Sequence, residues 1–159
     1  MQSWSFSRRE TYVKCPFRAK LQYDDRVEIP PDPKLEEASL RGTRMHDSAQ
    51  GYVARKQEEF DSSLNSFANE LGNLRELHDQ GLVLIEDEWA WTKDFEAPCD
   101  WKDNALVWVR MKLDFLVKLG PRHYLVIDLK TGKKDGNQIK HTEQGQLYAV
   151  GTWLKFAGE

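Results

Sequence analysis

The ten residues LVIDLKTGKK (125–134) place an acid and a lysine two positions apart at the end of an apolar run. Side chains alternate between the two faces of a strand, so Asp128 and Lys130 project to one side while the apolar residues around them project to the other. The carboxylate and the amine are therefore presented together, which is an arrangement that can hold a cation and a reacting group side by side.

A second acid, Asp114, lies in the preceding apolar run, and the two runs are joined by LGPR (119–122), a turn signal. A turn centred between Gly120 and Pro121 places Asp114 opposite residue 127 or, with a bulge or a one-residue shift, opposite Asp128. Cross-strand Cβ atoms are about 5 Å apart, so the two carboxylates would repel each other. A Mg²⁺ ion removes that penalty. The alternative is an ordinary ion pair between Asp114 and Lys130 on a solvated sheet face.

The pattern of apolar residues predicts helices in the first half of the chain and strands after Gly81. We expect a first helix capped by Ser7, and two helices between residues 35 and 80 with a break near FDSS. Three strands are predicted within 82–91, 105–119 and 124–129. In the second strand the odd-numbered residues from 107 to 117 should share one face, leaving Asp114 on the other.

The final segment, HTEQGQLYAVGTWLKFAGE, predicts a helix capped by Thr142. Its expected core positions are Leu147, Val150 and Leu154. Gln144 and Tyr148 lie on a different stripe, and for these two residues a solvated helix flank is the alternative to a functional role.

Composition indicates one folded domain, because 159 residues with 40% hydrophobic content and six tryptophans can bury a sizeable core. Residues 61–100 carry ten acids and two bases, whereas residues 101–159 carry ten bases and six acids, so the motif lies in the basic part. No segment has the apolar length of a membrane span or a signal peptide, and we expect a cytoplasmic protein. Two cysteines, Cys15 and Cys99, exclude a disulfide framework.

Five motifs in this order resemble the PD-(D/E)xK nuclease superfamily, and in particular its RecB-type exonuclease branch. They are SFSRRETYVKCPFRAKLQY (5–23), RGTRMH (41–46), MKLDFLV (111–117), VIDLKTG (126–132) and QGQLY (144–148). The resemblance implies an α/β fold, with a restriction-endonuclease-like core in which helices flank a central mixed β-sheet.

The resemblance also assigns roles to individual residues. Asp114, Asp128 and the carbonyl of Leu129 would bind Mg²⁺ or Mn²⁺, with His46 as a further ligand. Lys130 would act on the attacking water. Contacts with DNA would come from a set of polar and basic side chains, namely Lys133, Lys134, Lys140, Gln144 and Tyr148. Glu88 is a weaker candidate for the metal site, and an exposed strand charge is the alternative for it.

Together these assignments predict a single nuclease domain over residues 1–159, which hydrolyses DNA in recombination, repair or phage DNA processing. A DNA-binding or assembly module without activity is the alternative, as is a nuclease subunit that works only with a helicase or recombination partner. Iron–sulfur members of the branch need four cysteines, so no cluster is expected and Cys15 is predicted to be a buried thiol. The branch usually adds a strand and often a helix after the last motif. We expect either a minimal core, or a C-terminal portion that is absent or supplied by another chain.

Overall fold

A computed structural model describes residues 3–28, 30, 32–130 and 138–156, with the backbone alone for 138–140. The helices are α1 (Phe6–Lys14), α2 (Pro16–Ala19), α3 (Pro33–Val53), α4 (Ala68–Asp79) and α5 (Gln138–Phe156). The strands are β1 (Val83–Trp91), β2 (Val109–Gly120) and β3 (His123–Ile127). A π-helical turn (Lys20–Asp24) and two 3-10 turns (Ser62–Phe67 and Lys93–Phe95) complete the list. None of the helices in this part of the chain is long and apolar enough to cross a membrane.

The three strands form one sheet in the order β1-β2-β3, and both pairings are antiparallel. Parallel pairing occurs as an isolated bridge between Trp4 and Val109, at the start of β2. The sheet within the described residues is thus antiparallel, whereas the sequence led us to expect a mixed one. The predicted α/β organisation, with helices packed around a sheet, is confirmed.

The first predicted helix is divided, and its cap is Ser5 rather than Ser7. It ends at Cys15 because Pro16 follows, and the residue before a proline is driven out of the helical region; Cys15 has φ −160°. The prediction of a buried thiol is wrong: Cys15 is exposed, and its Sγ accepts a hydrogen bond from the Arg18 N–H at 3.4 Å. The thiol caps α2.

The last helix also starts earlier than predicted. It begins at Gln138, so Thr142 lies inside the first turns of α5 and is not its cap. Val150, which was predicted to be a core residue, is 46% exposed, whereas Tyr148 is only 6% exposed. The face of α5 that packs on the sheet is therefore the one that carries Tyr148.

The sheet is covered by helices on both faces, and each face has its own hydrophobic core. One core, called here the α3/α4 core, is built from Ala49, Val53, Leu64, Leu71, Leu74, Val83, Phe115 and Val117. The other, the α5 core, is built from Trp89, Trp91, Val109, Met111, Leu113, Leu116 and Tyr148. Burial of these apolar side chains is the main force that holds the helices on the sheet.

The strand pair β1–β2 changes faces in its middle. Phe115 pairs with Ile85 and packs in the α3/α4 core, whereas Leu113, two residues earlier, packs in the α5 core. Glu86 lies between Ile85 and Asp87, which pair with Phe115 and Leu113 of β2. Its φ of 52° is left-handed and interrupts the regular alternation of the strand. The expectation that all odd residues of β2 share one face is wrong for this reason. Asp114 emerges at the point where the two cores meet.

Gly151 allows α5 to approach the sheet closely, and this leads to a prediction about stability. A Cβ at Gly151 would lie 2.6 Å from Met111 Sδ and 3.2 Å from the Trp89 ring, and both side chains are 2% exposed. Gly151→Ala is therefore expected to lower the free energy of unfolding by about 1–2 kcal/mol, as overpacking does. Urea denaturation measures this change.

Gly72→Ala is the matched control, because that glycine lies inside α4 with nothing within 4 Å of the added Cβ. The control should stabilise the protein by up to about 1 kcal/mol through helix propensity. Equal effects of the two substitutions would show that α5 does not pack as closely as described.

Candidate active site

Four separate parts of the chain bring polar side chains to one place at the junction of the two cores. One side chain comes from α3, one from β2, two from the segment that directly follows β3 and two from α5. In chain order these side chains are His46, Asp114, Asp128, Lys130, Gln144 and Tyr148. Contacts join His46 to Asp114, and a second set of contacts joins the other four side chains to one another. The two sets are linked through the main-chain N–H of Leu129, which donates to Asp114.

Asp114 is held by two donors from different elements. Its Oδ1 lies 2.9 Å from His46 Nδ1, and its Oδ2 accepts a hydrogen bond from the Leu129 N–H at 2.7 Å. The hydrogen bond with Asp114 raises the pKa of His46, although burial of the ring acts in the opposite direction. The Asp114 side chain, which is 13% exposed, is consequently fixed in position.

The hairpin register explains why Asp114 and Asp128 occupy neighbouring positions on the two adjacent chain segments. Phe115 pairs with Ile127 and Leu116 pairs with Val126, so the next pair along the ladder places Asp114 opposite Asp128. This is the shifted register of the two that the sequence allowed. The turn lies one residue later than expected, because Gly120 pairs with His123, and the irregularity between Lys118 and Gly120 then sets the register of the remaining pairs. Both carboxylates lie close enough to affect the pKa of His46.

Lys130 forms its ion pair with Asp128, not with Asp114 as the alternative interpretation of the sequence had it. Its Nζ also donates a hydrogen bond to Gln144 Oε1 at 2.8 Å. The Gln144 Nε2 group points the other way, 3.4 Å from Asp128 Oδ1 and 2.6 Å from the Tyr148 hydroxyl. A donating lysine and accepting oxygens thus define the orientation of the Gln144 amide.

Tyr148 anchors this set of contacts to the sheet. Its hydroxyl accepts from Gln144 and donates to the main-chain carbonyl of Lys112 at 3.0 Å, on the edge of β2 that β3 does not cover. Burial raises the pKa of Tyr148, and the charge of Asp128 raises it further. The phenol therefore stays protonated, and the interpretation of this residue as a solvated helix flank is wrong. Sequence spacing alone gave no sign of the Lys112 carbonyl as its partner.

Removal of the Tyr148 hydroxyl should have a measurable structural effect. Tyr148→Phe would remove the donor to the Lys112 carbonyl and the closest acceptor of the Gln144 Nε2 group, at a site that is largely buried. We expect a loss of about 1–2 kcal/mol in the free energy of unfolding. Thermal or urea denaturation checks this value. Tyr12→Phe, at a half-exposed ring on α1, is the control and should be neutral.

The remaining predicted site residues lie elsewhere or are not described. Glu86 and Glu88 both form ion pairs with Lys112, the second at 3.8 Å, so Glu88 serves as a strand charge paired with a lysine. Lys133 and Lys134 lie outside the described residues, as does the side chain of Lys140. Their expected DNA contacts stay predictions.

The two carboxylates at this site fit a hard divalent cation by chemical type, because carboxylate oxygens are ligands that suit Mg²⁺ and Mn²⁺. Within the described part of the chain no group of three or more His, Cys, Asp or Glu side chains is already arranged around a common point. Instead, His46 pairs with Asp114 and Lys130 pairs with Asp128. Metal binding would replace these contacts with contacts to the ion.

Comparison with known proteins assigns the sequence to a family. A family model described as the PD-(D/E)XK nuclease superfamily matches residues 3–157. No curated protein and no solved structure matches the chain. The matched range covers almost the whole sequence and includes all six side chains of the site. The chain belongs to the PD-(D/E)XK nuclease superfamily.

Proposed function

We propose that this protein is a Mg²⁺- or Mn²⁺-dependent DNA nuclease that works as an exonuclease. The observation that supports the proposal most is that one hairpin carries Asp114 on β2 and both Asp128 and Lys130 just after β3, with Lys130 paired to Asp128 beside a glutamine from α5. Pure binding of DNA gains nothing from paired acids, because they repel phosphates. The exonuclease mode is inferred from the resemblance of QGQLY (144–148) to the RecB-type motif.

The ion would be held by Asp114, Asp128, the Leu129 carbonyl and His46. When bound, it supplies polarisation of the scissile phosphate and a lower pKa for a coordinated water. In the overall reaction a water oxygen bonds to phosphorus and the bond from phosphorus to the leaving oxygen breaks. The leaving oxygen takes up a proton, so the products are a phosphate monoester and a hydroxyl.

Lys130 is the residue we assign to the water and to the negative charge that develops on the phosphate. Its compact ammonium group lies next to Asp128 and is oriented by Gln144 Oε1. Gln144 would also contact the DNA strand. Tyr148 acts as a positioning residue, because its buried hydroxyl holds the Gln144 amide against β2.

Digestion of end-labelled linear DNA, compared with closed circular DNA of the same sequence, tests the proposal. With Mg²⁺ or Mn²⁺ we expect labelled nucleotides or short fragments from the linear DNA, intact circles, and no product in EDTA. Cleavage of the circles would contradict the exonuclease mode. Binding of DNA without cleavage under any metal condition would contradict the nuclease and favour a binding or assembly module.

His46 is expected to contribute to metal affinity. His46→Ala removes an imidazole that contacts Asp114, and we expect the dissociation constant for Mn²⁺, measured by calorimetry, to rise about tenfold or more. His123→Ala, at an exposed histidine on β3, is the control and should leave it unchanged. Equal affinities of the wild type and His46→Ala would remove His46 from the metal site.

A further inference from the structure

A pocket of about 480 Å³ lies between β3 and α5, beside the candidate active site. Its walls are largely aromatic and aliphatic, with contributions from Tyr124, Val126, Trp153 and Phe156. Its volume falls within the roughly 300–1,000 Å³ typical of small-molecule sites. Asp128 and Gln144 line the same pocket, so an occupant would reach the groups assigned to the reaction.

Trp153 is the feature of this pocket that protein packing does not explain. It lies on α5 and is 69% exposed, and it belongs to neither of the two cores. By contrast, Tyr124 and Phe156 stack on each other with ring centroids 4.5 Å apart and planes at 20°, so they form a fixed wall. An exposed indole beside a fixed aromatic wall offers a flat apolar surface for another ring.

A second pocket, of about 360 Å³, adjoins the first across the side chains of His141, Gln144 and Tyr148. Its lining is of a different kind, since it includes hydroxyl and basic groups. These are Ser5, Ser7, Arg110, Lys112 and Lys130. The lining also contains one acid and four apolar side chains, namely Glu10, Phe6, Trp101, Met111 and Leu147. The Gln144–Tyr148 wall thus separates a mainly apolar pocket from one in which three basic side chains face a single acid, an arrangement suited to the base and the phosphate of a nucleotide.

We infer that the pocket between β3 and α5 holds an unpaired nucleobase of the strand being cut, stacked on Trp153, and that the substrate is therefore single-stranded DNA or a single-stranded end. This inference rests on the nuclease function proposed above. Bases in a duplex have both faces covered by their neighbours, whereas an unpaired base can stack on an aromatic side chain. The ring of His141 and the second lone pair of Gln144 Oε1 can hydrogen-bond to the base edge.

Binding of a short fluorescein-labelled oligothymidine in EDTA tests this inference without cleavage. Trp153→Ala is expected to weaken binding about tenfold, as the loss of one base stack does, and Trp153→Phe should restore most of the affinity. Quenching of tryptophan fluorescence by the oligonucleotide should be smaller in Trp153→Phe than in the wild type. Phe17→Ala is the matched control, because Phe17 is 68% exposed and does not line this pocket.

Equal affinity of the wild type and Trp153→Ala would overturn the inference, and so would failure of the wild type to bind oligothymidine. Tighter binding of a blunt duplex than of oligothymidine by the wild type would overturn it as well.

The outcome of this binding assay is independent of the outcome of the digestion assay. A protein that cuts linear DNA but does not depend on Trp153 for binding retains the nuclease function and loses the base pocket. A protein that binds through Trp153 but never cuts retains the pocket and loses the nuclease.

Discussion

Asp128→Asn is expected to reduce the rate of Mg²⁺-dependent DNA hydrolysis by at least about a thousandfold, which corresponds to roughly 4 kcal/mol of transition-state stabilisation. Asparagine has the same shape and can still accept hydrogen bonds from Gln144 and Lys130. The substitution therefore removes the charge and the preferred oxygen ligand without removing the local contacts. Single-turnover digestion of linear DNA measures the rate, and calorimetry with Mn²⁺ should show weaker binding of the ion.

Asp79→Asn is the matched control for this substitution. Asp79 is an exposed aspartate at the end of α4 that forms an ion pair with Arg55, so it loses the same charge away from the site. The control should digest DNA at the wild-type rate. Retention of more than about a tenth of wild-type activity in Asp128→Asn would contradict the assigned role.

Lys130→Met is expected to produce the second largest loss, about a hundredfold to a thousandfold in rate. Methionine retains much of the aliphatic stem but cannot stabilise negative charge on the phosphate or orient a water. Because Asp128 would lose its ion-pair partner, the affinity for Mn²⁺ should stay the same or increase. We therefore expect Lys130→Met to lose DNA hydrolysis while it keeps its affinity for Mn²⁺.

Lys20→Met controls for the loss of an ion-paired lysine, since Lys20 pairs with Asp25 at 2.6 Å on the surface. Its activity should be normal. If Lys130→Met and Lys20→Met digest DNA equally well, Lys130 is only a partner that balances the charge of Asp128.

The sequence predicted the part of the site that depends on local rules. Strand alternation and a Gly-Pro turn led to a hairpin that brings Asp114 near Asp128, and the structure has this hairpin. The sequence left two registers open because the irregularity between Lys118 and Gly120 depends on how the strands twist as they leave the turn. A shift of one residue decides whether the two acids face each other.

The crossing of β1 and β2 between two cores could not be predicted in the same way. It depends on a left-handed conformation at Glu86, a residue type that rarely adopts it, and no glycine marks the position. The prediction from periodicity was that the odd-numbered residues on both sides of Asp114 lie on the same face of β2. The change of face is what places this carboxylate within reach of both α3 and β3.

Tertiary packing also decided the role of α5. Helical spacing put Gln144 and Tyr148 on one stripe but could not tell whether that stripe meets water or the sheet. The close approach at Gly151 and the free carbonyl edge at Lys112 turn this stripe inward. The Lys112 carbonyl has no signal within the helix, and the glycine at 151 does not by itself show which neighbour approaches it.

The most direct test of the account is a crystal structure of the protein soaked in Mn²⁺, with anomalous scattering recorded to locate the ion. The account predicts an anomalous peak at the end of β3, within coordination distance of one carboxylate oxygen from Asp114 and one from Asp128. A peak bound by only one of these two residues would contradict it, as would a well-occupied Mn²⁺ ion elsewhere and none between them.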